Sequence, residues 1–382
     1  MKTVIKNANI IIDGEKRLFG SVLVEDNKIV EISDNNDLYG DNVIDASGNY
    51  LMPGMIDIHL HGSYGYDFIN NPSLSVGKVA EGLIKEGTTS FMASLTVISH
   101  EELCELLKEY SGVNNNKGAN FLGVHSEGPY LSVKYKALMD EKYLRDFNLK
   151  ELDEMLNSAN GVLKIMTVAP ERNGFREFAK EALKHNITLM IGHSSADTKT
   201  ALEALNEGCT GFTHLYNAMS QHMHREPGNV TAAFIDDKAY AELIVDGFHV
   251  KEDIVKATYK ILGPKRICLI TDAMLGKGMD DGIYTFSNLK CRKTGNTVQV
   301  IETGRIAGSA ITMLDAIKNM QKFTGCDIND IVRMSAYNPS IIAKINDSKG
   351  SIEKGKDADL IILDKDLNLK MTMVNGEVLF IK

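Results

Sequence analysis

The chain reads as an α/β protein: a (β/α)8 TIM-like barrel carrying a small β-sandwich domain built from both termini. Three observations predict this. Residues 55–272 hold eight short apolar runs, many of them separated by helical patterns. Both ends of the chain are instead rich in β-branched residues interrupted by Gly, Asn and Asp. Histidines or carboxylates stand at, or just after, the ends of five of the apolar runs, which is where a parallel barrel gathers its functional groups.

In chain order, TVIKNANIII, SVLVEDNKIVEI and NVIDAS read as strands within residues 1–52. DADLIILD and LKMTMVNGEVLFI repeat that texture at the other end, with Asn375-Gly376 as a hairpin turn signal. Each end alone has few strands from which to form a core, so residues 1–52 and 349–382 are expected to co-fold as the β-sandwich domain. Residues 53–348 are expected to form the metal-dependent catalytic barrel. Its strands are placed at 55–59, 88–94, 120–127, 162–168, 187–193, 210–214, 241–246 and 266–272. Between them, SLSVGKVAEGLIKEG closes on Gly87, a candidate helix-terminating glycine. DTKTALEALNEG opens on Asp197, a candidate N-cap. VKEDIVKATYKILG follows the seventh strand, and GVNNNKGAN, residues 112–120, reads as a surface loop.

Composition narrows the function classes. With 382 residues, 43% hydrophobic and 24% charged, the chain has a globular composition and can hold a barrel of roughly 250 residues plus a smaller domain. The formal charge of −9 argues against a nucleic-acid partner or an anionic membrane surface, although a local anion pocket remains compatible with it. MKTVIKNANIIIDG lacks the apolar core of a signal peptide, and no run approaches the roughly 20 apolar residues of a membrane span. Cys104, Cys209, Cys268, Cys291 and Cys326 are scattered without a CxxC pair, which implies free thiols in a reducing cytoplasm.

His59 and His61 are two apart, so on a strand both face the same side and can reach one metal. His125 and Glu127 share that spacing, and His193 and His214 end their own runs. A lone histidine is more often structural than a ligand. Four of them with a carboxylate at successive strand ends imply a divalent metal. Asp272 follows ICLIT, where it can ligate the metal or take a proton from water activated by it; as a structural residue it would cap a loop. Together these residues point to a metal-dependent hydrolase. Arg225, in HMHREPG, carries the planar fork that suits phosphate, with His222, His224 and His249 as further donors. Taken alone, Arg225 reads as a surface ion pair.

PGMIDIHLHG, HSEGPYL, GHSSAD, THLYNAM, HREPG, DGFHV, ITDAM and AGSA together resemble the amidohydrolase superfamily and, within it, the N-acetylglucosamine-6-phosphate deacetylases. The resemblance covers nearly the whole chain, from the Pro-Gly before the first barrel strand to GSIEKGKDADLIILD after the barrel. It implies a principal metal site of Glu127, His193 and His214, a second metal at His59 and His61, and Asp272 as the catalytic aspartate. One or two divalent ions per subunit follow, zinc first, with iron, manganese or cobalt as alternatives. The resemblance also implies substrate contacts from Asn217, Ala218, Asp246, His249, Ile306, Ala307 and Gly308. Arg225 would reach the sugar phosphate in the neighbouring subunit of a homodimer. There is one departure: in KYKALMDEKYL, Leu138 and Met139 stand where the family has Ala-His, and methionine donates no strong hydrogen bond. The metal alone, or another histidine, would then polarise the acetyl carbonyl, or the sugar specificity has moved. The implied activity is hydrolysis of the acetamide of N-acetylglucosamine 6-phosphate to acetate and glucosamine 6-phosphate. The alternatives are a galactosamine or mannosamine epimer, a cyclic amidase or N-acyl amino-acid deacetylase, and an inactive binding protein.

Overall fold

The computed structural model describes residues 1–114, 117–286 and 289–382; Asn115 and Asn116 of the expected surface loop lie outside them. Eight parallel strands succeed one another: β1 Met55–Leu60, β2 Thr88–Leu95, β3 Asn120–Glu127, β4 Leu163–Val168, β5 Thr188–Ile191, β6 Gly211–Phe212, β7 Tyr240–Ile244 and β8 Ile267–Ile270. Each pairs with its predecessor. The ring closes where His59 O accepts the Asp272 N–H (2.9 Å) and Ala273 O accepts the His61 N–H (2.8 Å). All eight expected strands are present, and the barrel is the α/β fold the sequence predicted.

Strands β1 and β2 are buried along their whole length, as a parallel sheet covered by helices must be. Alternation sorts their residues. Phe91, Ala93 and Leu95 join Val76, Val79 and Leu83 in the layer between strands and helices. Met92 joins Ile165, Met190, Ile244 and Ile270 in a separate cluster. The helices begin and end where their local chemistry allows. Helix Pro72–Leu83 runs into a short 3-10 turn that Gly87 terminates with φ 75°. Helix Thr198–Asn206 starts at Asp197, whose carboxylate accepts the Thr200 N–H at 2.8 Å.

The two termini do co-fold. Tyr50–Pro53 pairs antiparallel with Leu360–Leu363. Both belong to one sheet that also holds Lys2–Ile11, Arg17–Glu25, Leu369–Val374 and Glu377–Ile381. Strand Lys2–Ile11 is irregular between Ile5 and Ala8, pairing with Asn42–Asp45 around the first part of its length and with Tyr50–Pro53 further on. Residues from both ends of the chain, among them Ile5, Ile10, Val22, Leu360 and Met371, then meet in one apolar cluster.

One element has no counterpart in the sequence-based expectation. After β8, Gly282–Phe286, Leu289–Thr294, Thr297–Val300 and Ile306–Ser309 form a four-stranded antiparallel meander. Its apolar cluster is small (Cys291, Val298, Val300, Ala307, Ala310), so its strands carry only a weak apolar signature. Among the described residues, no helix is long and apolar enough to cross a membrane.

Candidate active site

The six singled-out residues converge at the C-terminal ends of the barrel strands. His59 lies within β1 and His61 just beyond it, Glu127 ends β3, and His193, His214 and Asp272 stand just past β5, β6 and β8. The last three adopt left-handed backbone conformations, with φ of 46°, 32° and 46°. For a non-glycine residue this costs about 1–3 kcal/mol and survives only where the surroundings impose it. For two of them the holding bonds are plain: the Asp272 N–H is held by His59 O, and the His214 N–H donates to the Glu242 carboxylate at 3.2 Å.

Glu127 Oε1 lies 3.1 Å from His193 Nε2 and 3.0 Å from His214 Nε2, and these two nitrogens are 3.1 Å apart. Glu127 Oε2 lies 3.2 Å from His61 Nε2. Asp272 Oδ1 faces the Nε2 atoms of His59 at 3.7 Å and of His61 at 3.5 Å. Two donor sets result, Glu127–His193–His214 and His59–His61–Asp272, the ligand atoms of each lying within 4.8 Å of one another.

The outer partners fix the imidazoles. His61 Nδ1 donates to Ser94 O at 3.1 Å, and His193 Nδ1 donates to Tyr135 O at 2.7 Å. Because a carbonyl only accepts, the proton sits on Nδ1 and the Nε2 lone pair points inward, the usual arrangement of a metal-ligating histidine. His59 Nδ1 pairs with Glu242 Oε2 at 3.0 Å, which leaves its buried Nε2 without a hydrogen-bond partner among the described residues. Lone pairs and carboxylate oxygens thus converge with too few donors among them, a set that a divalent cation fits. Electrostatics agree. Burial lowers the His59 imidazole, but Glu242, Asp272 and Glu127 outweigh it and raise its pKa to about 10, so the local field favours positive charge. His125 has a different role. Burial pushes it well below the ordinary imidazole value, and it sits neutral between Ser94 Oγ (2.9 Å) and Thr167 Oγ1 (2.8 Å), outside both donor sets.

Leu138, Met139, Asn217, Ala218, His249, Ile306, Ala307 and Gly308 all line one cavity of about 540 Å³, together with His61, Glu127, His193, His214 and Asp272. Gly308 has φ 76°, and a Cβ there would lie 2.5 Å from Met274 Cγ and 2.9 Å from Asp272 O. Only glycine lets the meander close onto the Asp272 turn. Leu138 packs against the meander cluster, so the wall formed by Leu138 and Met139 is apolar where the resemblance led to an imidazole.

Four expected substrate-binding residues lie outside this lining. Asp246 is not part of the cavity lining; its carboxylate accepts the Phe248 and His249 N–H groups at 2.8 Å each and the His249 Nδ1–H at 2.6 Å. It therefore orients His249. Burial lowers that imidazole, but Asp246 more than compensates, and its pKa lies above the ordinary value. Arg225 is exposed on the loop after β6 and borders a separate groove of about 850 Å³ beside Lys134, Asp197 and Glu226. It has no ion-pair or hydrogen-bond partner among the described residues of its own chain. His222 bonds Thr231 Oγ1 at 2.9 Å, and it and His224 are exposed, outside the cavity.

The site also contains acids that the motif reading passed over. Glu242 is fully buried on β7, and Asp57 is fully buried on β1, where it accepts the Thr271 hydroxyl at 2.5 Å. The available signal was a single carboxylate inside an otherwise apolar run, in AELIV and MIDIH.

The arrangement has counterparts among known proteins. The model of the family described as "Amidohydrolase family" matches residues 50–379. The N-acetylglucosamine-6-phosphate deacetylase of Bacillus subtilis (strain 168) is 33% identical, the match covering 99% of this chain and 97% of that protein. The N-acetylgalactosamine-6-phosphate deacetylase of Escherichia coli O157:H7 is 30% identical over 88% of this chain and 89% of its own length. Among solved structures, an Asp-to-Ala variant of the N-acetyl-D-glucosamine-6-phosphate deacetylase of Mycobacterium smegmatis, in complex with N-acetyl-D-glucosamine-6-phosphate, superposes with a TM-score of 0.90. It is 27% identical, and the match covers 99% of each chain. A barrel with paired His/carboxylate donor sets at its strand ends, matched along nearly its full length by these proteins, leads to one conclusion: this chain belongs to the amidohydrolase family.

Proposed function

We propose that the chain is a metal-dependent deacetylase that hydrolyses the acetamide of N-acetylglucosamine 6-phosphate to acetate and glucosamine 6-phosphate. The observation that carries this reading is the pair of donor sets, with Asp272 in one of them, opening on a single cavity. The full-length relatives named for that reaction support it.

Glu127, His193 and His214 would hold the principal ion, and His59 and His61 a second, zinc being the first choice for such ligands and iron, manganese or cobalt the alternatives. When bound, a divalent ion supplies Lewis acidity toward the amide carbonyl and lowers the pKa of water from 15.7 to about 7. Asp272, beside both His59 and His61, takes the proton of the attacking water and returns it to the departing amine. His249, oriented by Asp246, presents its other ring nitrogen to a phosphate or hydroxyl. Asn217, Ala218, Ile306, Ala307 and Gly308 shape the wall, and Leu138 and Met139 provide an apolar side. Arg225, exposed and unpaired among the described residues of its own chain, closes on the phosphate held by the neighbouring subunit of a homodimer. The cytoplasm, where such sugar phosphates and free thiols both persist, is the compartment this reading assigns.

A second reading, an N-acetylgalactosamine 6-phosphate deacetylase, is favoured by the relative of that name. Acetate release followed by NMR on the 6-phosphates of N-acetylglucosamine, N-acetylgalactosamine and N-acetylmannosamine separates the two. The highest kcat/KM is expected on the gluco epimer. A clear preference for the galacto epimer would transfer the assignment, and no acetate from any of the three would leave a different amidohydrolase or an inactive binding protein.

A further inference from the structure

The two donor sets share a support that belongs to neither. Glu242 is fully buried in the middle of β7, on a strand that contributes no ligand. Its Oε2 alone takes both bonds: it pairs with His59 Nδ1 at 3.0 Å and accepts the His214 backbone N–H at 3.2 Å. Its other oxygen, Oε1, is buried without a partner among the described residues. An acid left half-satisfied inside a barrel is costly, and packing gives no reason for it among the apolar residues of β7. The two bonds it makes do give one. The first turns the His59 Nε2 into the site, 3.5 Å from Glu127 Oε1 and 3.7 Å from Asp272 Oδ1, and fixes which ring nitrogen is the donor. The second holds His214 in the left-handed conformation, φ 32°, that brings its Nε2 to Glu127.

The geometry points to Glu242 as a positioning residue that couples the two metal subsites, and that sets above all the affinity of the His59–His61–Asp272 subsite. This rests on the metal-dependent reading above and deepens it. The effect is graded because the two ligands are held differently. Glu242 grips the His59 ring directly, whereas it reaches His214 only through the backbone. Glu127 also has His193 to anchor its subsite, and the His193 ring is fixed independently by Tyr135 O. Outer partners of this kind contribute roughly 10–100-fold to metal affinity.

Glu242→Gln keeps the side-chain shape and, through its amide oxygen, both hydrogen bonds, while removing the negative charge that makes the His59 imidazole a more basic and tighter ligand. Glu242→Ala removes both bonds. The full-length protein, stripped with a chelator, is titrated with zinc by calorimetry, and zinc-soaked crystals are examined for anomalous peaks at the zinc edge. The wild type is expected to take two ions. In Glu242→Gln the ion at His59–His61–Asp272 should bind roughly tenfold more weakly, and in Glu242→Ala it should be lost, with the ion at Glu127–His193–His214 retained in both. If Glu242→Ala does not fold, the isosteric Gln variant carries the test alone. Two ions bound with wild-type affinities in the folded variants would overturn the role of Glu242 while leaving the metal reading intact. So would a larger loss at the Glu127 subsite than at the His59 subsite. A wild type that binds only one ion leaves nothing to couple and also overturns the proposal. A wild type that binds none overturns the metal-dependent reading itself.

Discussion

Asp272→Asn should retain its metal and its affinity for substrate but lose turnover by roughly 10²–10⁴-fold, the usual contribution of a positioned general acid/base. The variant is well suited to the question. Asn tolerates the left-handed conformation better than most residues, so the φ of 46° at this position need not change. The backbone bonds to His59 O and from the Ser309 N–H are also untouched. What the amide lacks is the capacity to take a proton from water and return it to the leaving amine. Near-normal kcat in a metal-replete variant would remove the proton-transfer role. Loss of all metal would recast Asp272 as chiefly a ligand of the His59–His61 pair.

The second large effect concerns the phosphate. Arg225 is an exposed guanidinium with no ion partner among the described residues of its own chain. If it meets phosphate in the neighbouring subunit, unphosphorylated N-acetylglucosamine leaves that charge uncompensated, a loss on the order of 2–5 kcal/mol for a desolvated pair. The expected kcat/KM on the plain sugar is therefore lower by roughly two orders of magnitude or more. Arg225→Ala should erase most of this preference by lowering activity on the phosphorylated sugar alone. Mixing Arg225→Ala with Asp272→Asn protomers should restore part of the activity, because one site of the mixed dimer would combine an intact Asp272 with an intact Arg225. No restoration in verified mixed dimers would confine Arg225 to its own chain. Equal rates on phosphorylated and plain sugar by the wild type would defeat the phosphate pocket.

The barrel was legible because each strand is a short apolar run and each ligand sits at or just beyond the end of one: the chemistry and the secondary structure share the same few residues. The turns that aim the ligands were not legible. His193, His214 and Asp272 read as the last residues of their strands, whereas the strands stop at Ile191, Phe212 and Ile270 and the chain then enters a left-handed turn. Histidine and aspartate tolerate that conformation more readily than most residues but do not require it; here the Asp272 N–H is held by His59 O and the His214 N–H by the Glu242 carboxylate. Glu242 was hidden for a related reason. Within AELIV it is one carboxylate in an otherwise apolar run, and only closure of the barrel places it behind His59. The meander between Gly282 and Ser309 was missed because its short strands bury little apolar surface each. Asp246 lay in a motif, but its geometry makes it the holder of His249 instead of a group lining the cavity.

Divalent metal at the strand ends is what we propose this fold uses to remove acetate from N-acetylglucosamine 6-phosphate. The most direct measurement is acetate release from that substrate by the chelator-stripped protein, before and after adding back a stoichiometric divalent ion, with His193→Ala in parallel. Negligible release is expected from the stripped protein, with recovery at one or two equivalents of ion per chain and no recovery in His193→Ala. Undiminished release by the verifiably metal-free protein, or full recovery in His193→Ala, would contradict the proposal.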